Sequence, residues 1–151
     1  MTLYIDGDAF PNLLKPILFR AINRESLPTI VVSNKRIHIG ESEFISYTMA
    51  GSGPDEADNK IVEMVKEGDL VVTSDIPLAD RTVAKKAYVI SHTGKIFDED
   101  NVKQALAIRN LMQSIRDTGE ATKGPAPFSK KDVQKFANQL NQFLSRRKKG
   151  K

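Results

Sequence analysis

Leu3-Tyr4-Ile5-Asp6-Gly7-Asp8-Ala9-Phe10-Pro11 is a short apolar run that stops at two aspartates separated by a glycine. A strand buried in a parallel sheet reads as such a run, and ligands of open α/β sheets sit beyond the strands' carboxyl ends. Asp6 and Asp8 therefore stand where chemistry is expected. Gly7 allows a sharp turn between them, and Pro11 suits the first turn of a following helix. Alternatively, either aspartate caps that helix. One cap accounts for one aspartate and leaves the other unexplained.

The same pattern recurs downstream. Leu13 to Arg24 carries Leu14, Ile17, Leu18 and Ile22 at helical spacing, with Pro16 starting or kinking it. Thr29 to Val32 is a second strand, ending at Ser33-Asn34, and Ile37 to Ile39 and Phe44 to Met49 are further β-type runs. The Ala50-Gly51-Ser52-Gly53-Pro54 loop lacks the lysine and full spacing of a phosphate-binding loop. It leads into a helix from Asp55, where Asp55 and Asp58 resemble a capping box. Helical spacing also sets Asp58 on the face of Ile61, Val62 and Val65, so its carboxylate needs a cation or an arginine as partner. Asp69 to Asp75 is a β-branched strand that again ends in a hydroxyl and a carboxylate, Ser74-Asp75. A helix from Ile76 follows, with Ser74 or Asp75 as cap and Asp80 one turn inside. Tyr88 to Ser91 reads as the last parallel strand, turning at His92, which is either a phosphate contact or incidental.

Alternating strands and helices predict an α/β fold, a mostly parallel sheet covered on both faces. The C-terminal third is helical. Asn101 to Arg116 is amphipathic, Glu120 to Pro127 is a loop or linker, and a helix from Ser129 carries Val133, Phe136, Ala137, Leu140, Phe143 and Leu144 as one apolar stripe. That stripe predicts docking on the sheet, with Ser129 and Asp132 as cap and Phe128 and Val133 as staple.

The chain has 151 residues, 40% of them hydrophobic, which predicts one domain over residues 1–145 and a basic tail over 146–151. There is no cysteine, which excludes disulfides and thiolate metal sites. No apolar run reaches the roughly 18 residues of a membrane span, so the expected location is the cytoplasm. The net charge of +4 resides largely in Arg146, Arg147, Lys148, Lys149 and Lys151. It permits attraction to nucleic acid without demonstrating it.

Taken in order, Ile5 to Pro11, Val32-Ser33-Asn34, Asp55-Glu56-Ala57-Asp58 with Ile61-Val62-Glu63, Gly68 to Ala79 and Gly124 to Ser129 resemble the YaiI/YqxD family of uncharacterised bacterial proteins. That family usually reads Asp-Ala-Asp-Ala-Cys-Pro at the first motif, from which Gly7 and Phe10 depart. The resemblance implies a PIN-like fold, in which acidic residues gather at the strands' carboxyl ends and metal-dependent nuclease activity is common. Matching residues are Asp6, Asp8, Asp55, Asp58 and Asp75, with Asp80 a looser match.

The residues themselves lead the same way. Aspartates drawn from separate segments repel one another unless protons or cations neutralise them, and Mg²⁺ or Mn²⁺ prefers oxygen ligands. Two such ions about 3.5–4 Å apart activate water and stabilise a leaving oxygen. The expected metal-binding and catalytic residues are Asp6, Asp8, Asp58 and Asp75, with Asn34, Asp55, Ser74 and Asp80 at the rim. Lys35, Arg36 and Arg81 are nucleic-acid contacts or solvated surface charges. Three functions follow: a metal-dependent nuclease on RNA or DNA, a catalytically silent nucleic-acid or nucleotide-binding module, and, least supported, a haloacid-dehalogenase-type phosphatase, which needs a lysine not evident near Asp75 and Asp80. The sequence does not address oligomeric state.

Overall fold

A computed structural model of the protein describes residues 1–53, 55–119 and 128–149; the expected loop at 120–127 lies outside them. Six strands form one sheet in the order β3-β2-β1-β4-β5-β6. They are β1 (Leu3–Asp6), β2 (Thr29–Ser33), β3 (Ile45–Met49), β4 (Leu70–Val72), β5 (Tyr88–Ile90) and β6 (Ile96–Phe97). All neighbours are parallel except β5 and β6. The helices are α1 (Lys15–Glu25), preceded by a 3₁₀ turn, α2 (Glu56–Met64), α3 (Ile76–Ala84), α4 (Glu99–Asp117) and α5 (Lys130–Lys149). The fold is the mostly parallel, helix-flanked α/β architecture that the alternation predicted.

Side-chain alternation in β1 sorts the core. Leu3 and Ile5 pack with Leu14, Leu18 and Ile22 of the α1 region and with Phe136, Leu140 and Leu144 of α5. Tyr4 points the other way, into a second core with Ile61 of α2, Leu78 and Val83 of α3 and Val102 of α4. Asp6, two residues after Tyr4, therefore falls on the α2/α3 face. The strand order reverses direction between β1 and β4, because the chain moves outward through β2 and β3 and then returns to the other side of β1. Such a switch point opens a crevice at the strands' carboxyl ends. Asp6 closes β1 there, and Asp75 follows β4.

Docking of α5 is as the apolar stripe predicted. Phe136 is fully buried, and Tyr88 of β5 meets Phe143 edge-on at 5.1 Å. Gly94, between β5 and β6, has φ +88, and a Cβ there would lie 2.8 Å from the Lys135 backbone, so only glycine lets this turn approach the helix. Asp132 takes hydrogen bonds from the Ser129 amide and hydroxyl at 2.9 and 3.2 Å.

Several local expectations are corrected. Ile37 to Ile39 is not a strand but an irregular segment, held by the Tyr47 hydroxyl, which accepts from the Ile39 amide at 3.0 Å. The two-residue β6 went unpredicted. Asp98, not Asn101, begins the α4 cap, and the Asn101 side chain returns the bond to the Asp98 amide to complete the capping box. The basic run from Arg146 is helical as far as Lys149, within α5. Among the described residues, no helix is long and apolar enough to cross a membrane.

Candidate metal centre

Beyond β1 and β4 lies a cavity of about 410 Å³ lined by Asp6, Asp8, Ala9, Asn34, Gly53, Asp55, Glu56, Ala57, Asp58, Ser74, Asp75 and His92. Six of these are carboxylic acids, and none of those described is a lysine or arginine. Asp6, Asp8, Asn34, Asp55, Asp58, Ser74 and Asp75, singled out from the sequence, all line this one opening. Glu56, which the sequence did not single out, and His92 line it as well.

Each acid is held differently. Asp6 is 6% exposed. Its Oδ2 accepts from the Thr73 hydroxyl at 2.8 Å, and its Oδ1 from the Asp8 amide at 3.3 Å. Burial raises its pKa from 3.8 to about 6, against the lowering effect of those bonds and with help from the charges of Asp8 and Asp75. Thr73 also accepts from the Asp75 amide at 3.0 Å, so one buried hydroxyl links the ends of both strands. Asp8 Oδ1 accepts from the Asn34 amide at 2.9 Å and the Ser33 hydroxyl at 3.2 Å, which fixes the loop after β2. Gly7 does not need a positive φ; its role is close approach, since a Cβ would stand 2.8 Å from Ser33 Cβ.

Asp75 is the N-cap of α3, its Oδ1 accepting from the Leu78 amide at 3.0 Å. Asp55 is a correction: it occupies the N-cap of α2 in left-handed conformation, φ 64, and makes no side-chain cap bond. Its exposed side chain is left facing the cavity rim. Asp58, in the first turn of α2, is half-buried against Asp75. Its carboxyl is pushed up to about 7 by desolvation first, then by the charges of Asp75 and Asp6 and a side-chain hydrogen bond with Asp75. Asp58 therefore holds its proton more tightly than a free aspartate does.

His92 closes the wall from the end of β5. Its backbone amide donates to Ser74 Oγ at 3.0 Å, its ring meets Phe10 edge-on at 5.4 Å, and burial lowers its pKa to about 4. Among the described residues, its Nε2 is the buried side-chain polar atom without a hydrogen-bond partner. The signal was present in sequence as another strand ending in polar residues.

Four expected residues stand apart from the cavity lining. Asp80 pairs with Lys103 of α4 at 2.7 Å, and Arg81 donates to Asn59 of α2 at 2.9 Å. Lys35 and Arg36 line a neighbouring groove instead.

The carboxylate oxygens that dominate the lining suit a hard divalent cation. Among the described residues, no three His, Cys, Asp or Glu side chains stand spaced as a finished metal cage. The chemistry of the donors fits, while the arrangement itself is an open cluster of acids at one mouth of the sheet.

A family model described as uncharacterised, YaiI/YqxD family, matches residues 4–146. The chain belongs to the YaiI/YqxD family. It is 60% identical over 146 residues to a UPF0178 protein of Sulfurimonas denitrificans, covering 97% of both chains. A UPF0178 protein of a Sulfurovum species is 55% identical over 146 residues, covering 97% of this chain and 99% of the relative. One from a Nitratiruptor species is 52% identical over 151 residues, covering 100% and 99%. No solved structure matches the chain. For the YaiI/YqxD family these names carry no activity, so the reading of the centre rests on its geometry.

Proposed function

We propose that this YaiI/YqxD chain is a Mg²⁺- or Mn²⁺-dependent hydrolase of phosphodiester bonds in RNA or DNA, with the acidic cavity as its centre. The observation that carries this reading is the concentration of six carboxylic acids, without a lining lysine or arginine, at the sheet's switch point. An anionic substrate is repelled by such a cavity unless cations accompany it. Asp6, Asp58 and Asp75 are the residues that would hold the cation, with Asp8 offering the carboxylate oxygen not engaged by the β2 loop. Asp55 and Glu56 extend the negative rim. When bound, the metal supplies an activated water and charge stabilisation at the leaving oxygen. Thr73 positions Asp6 and the start of α3 together, and Asn34 and Ser74 supply polar groups for water or a phosphate oxygen.

A catalytically silent binding module is the second reading, favoured by the lack of a finished cage among the described residues. The phosphatase reading loses its support, because Asp6 as nucleophile would need a nearby lysine and none of the described lining residues is one. The test is a cleavage screen over single- and double-stranded RNA and DNA with Mg²⁺ and with Mn²⁺, run beside Asp58→Asn. Metal-dependent cleavage that falls by at least a hundredfold in the variant supports the nuclease. No cleavage of any form, or equal cleavage by the variant, refutes it.

A further inference from the structure

The loop after β2 walls two cavities at once. Asn34 lines the acidic cavity, while the next two residues, Lys35 and Arg36, line a groove of about 440 Å³ together with His38, Tyr47 and Met49. This groove runs along β3, an edge strand of the sheet. Within it His38 and Tyr47 form a stacked pair, their ring centroids 6.1 Å apart and their planes 20° from parallel. The Tyr47 hydroxyl donates to the Gly40 carbonyl at 3.0 Å and accepts from the Ile39 amide at 3.0 Å, so the platform is fixed to the segment that carries His38. His38, Lys35 and Arg36 are exposed, and Tyr47 retains 42% of its surface. Ser33 accepts from the Lys35 amide at 2.9 Å and donates to Asp8, which ties the cationic loop to the acidic centre.

We propose that this groove is a binding subsite for a single-stranded polynucleotide, with an unpaired base stacked against the His38–Tyr47 pair and the flanking phosphates on Lys35 and Arg36. The proposal deepens the nuclease reading and takes from it only that the ligand is nucleic acid. The chemistry of the groove is the reverse of the cavity beside it: cationic, aromatic and partly apolar against six carboxylic acids and, among the described residues, no lining lysine or arginine. Stacked rings accept any base through its π-face but only when that base is out of a duplex, and paired cations beside them match a phosphate backbone. The volume lies in the usual range for a small-molecule site and so accommodates one nucleotide. A strand seated here passes along Asn34 into the acidic cavity, which would hold it by its phosphates at the groove and present the next linkage to the carboxylates.

The experiment is fluorescence anisotropy with labelled eight-nucleotide RNA and DNA single strands and the matching duplexes, with Ca²⁺ in place of Mg²⁺ and Mn²⁺ to screen the acidic cavity, across a salt series. The proteins are wild type, His38→Ala and the Lys35→Ala/Arg36→Ala pair, each checked for an unchanged melting curve. Single strands are expected to bind more tightly than duplexes. His38→Ala should weaken binding about tenfold with the same salt dependence, since stacking carries no charge. The double variant should reduce the slope of log K against log salt by about 1.4, as two phosphate contacts on a single strand require. Equal binding by all three proteins, equal binding of duplex, or no binding by wild type overturns the proposal. In the cleavage screen run on the same proteins, cleavage that survives both groove variants undiminished overturns the subsite while leaving the nuclease standing; groove-dependent binding without cleavage supports the subsite while the nuclease reading fails.

Discussion

Replacing Asp6 with asparagine should make the metal-free protein more stable, an unusual outcome for a buried residue at the end of a core strand. With its pKa raised from 3.8 to about 6, Asp6 binds its proton more tightly folded than unfolded. The folded state therefore gains from protonation at low pH, and that gain is lost as pH rises through about 6. At 1.36 kcal/mol for each pH unit between the two values, ionised Asp6 costs the fold roughly 3 kcal/mol at pH 7.5. Asparagine removes that cost and keeps an oxygen for the Thr73 hydroxyl, but its amide group no longer accepts from the Asp8 amide, at a loss of about 1 kcal/mol. The net gain is about 2 kcal/mol, a rise in Tm of roughly 4–8 °C for a chain of this size. The assay is thermal unfolding followed by circular dichroism in EDTA at pH 4 and pH 7.5. The advantage should be present at pH 7.5 and gone at pH 4, where wild-type Asp6 is protonated in the fold. A variant less stable than wild type at pH 7.5, or an advantage of equal size at both values, refutes the reasoning.

His92 should act in the opposite sense: its pKa is lowered from 6.5 to about 4 by burial, so the neutral ring stabilises the fold above pH 6.5 and the contribution is lost as pH falls toward 4. The span corresponds to roughly 3 kcal/mol, and His92→Gln should flatten the acid limb of a Tm-against-pH curve; an unchanged limb contradicts the burial argument. Phe136→Asp should unfold the protein or lower its Tm by about 10 °C or more, since Phe136 is fully buried between α5 and the sheet and a carboxylate there has no partner. An unchanged Tm would mean that α5 contributes little to the core.

The parts of the fold legible in sequence were those in which one segment carries its own signal. β1 and β4 are apolar runs ended by carboxylates, and Asp58 sits at helical spacing from Ile61 and Val65, so all three site segments announce themselves locally. The α5 stripe is equally local. What failed depended on tertiary partners. Asp80 lies in the same helix as the Asp75 cap, yet its nearest cation is Lys103 on α4, which no spacing within α3 reveals. Ile37 to Ile39 has the alternation of a strand in only three residues, too few to fix a register, and the Tyr47 hydroxyl takes over its backbone. Asp55 has the residue type of a cap, but its left-handed backbone turns the side chain away. Thr73 and His92 gain importance only because β4 and β5 end at the same opening.

The central claim is that the acids at the switch point are gathered for a divalent cation. Calorimetric titration of Mn²⁺ at pH 7.5 into wild type, Asp58→Asn, Asp75→Asn and Asp80→Asn tests it most directly. Asp58 and Asp75 line the acidic cavity, whereas Asp80 pairs with Lys103 and is not among the lining residues. The account predicts that wild type and Asp80→Asn bind Mn²⁺ alike, while the other two bind at least tenfold more weakly. The same affinity in all four proteins, or no binding by wild type, would contradict it.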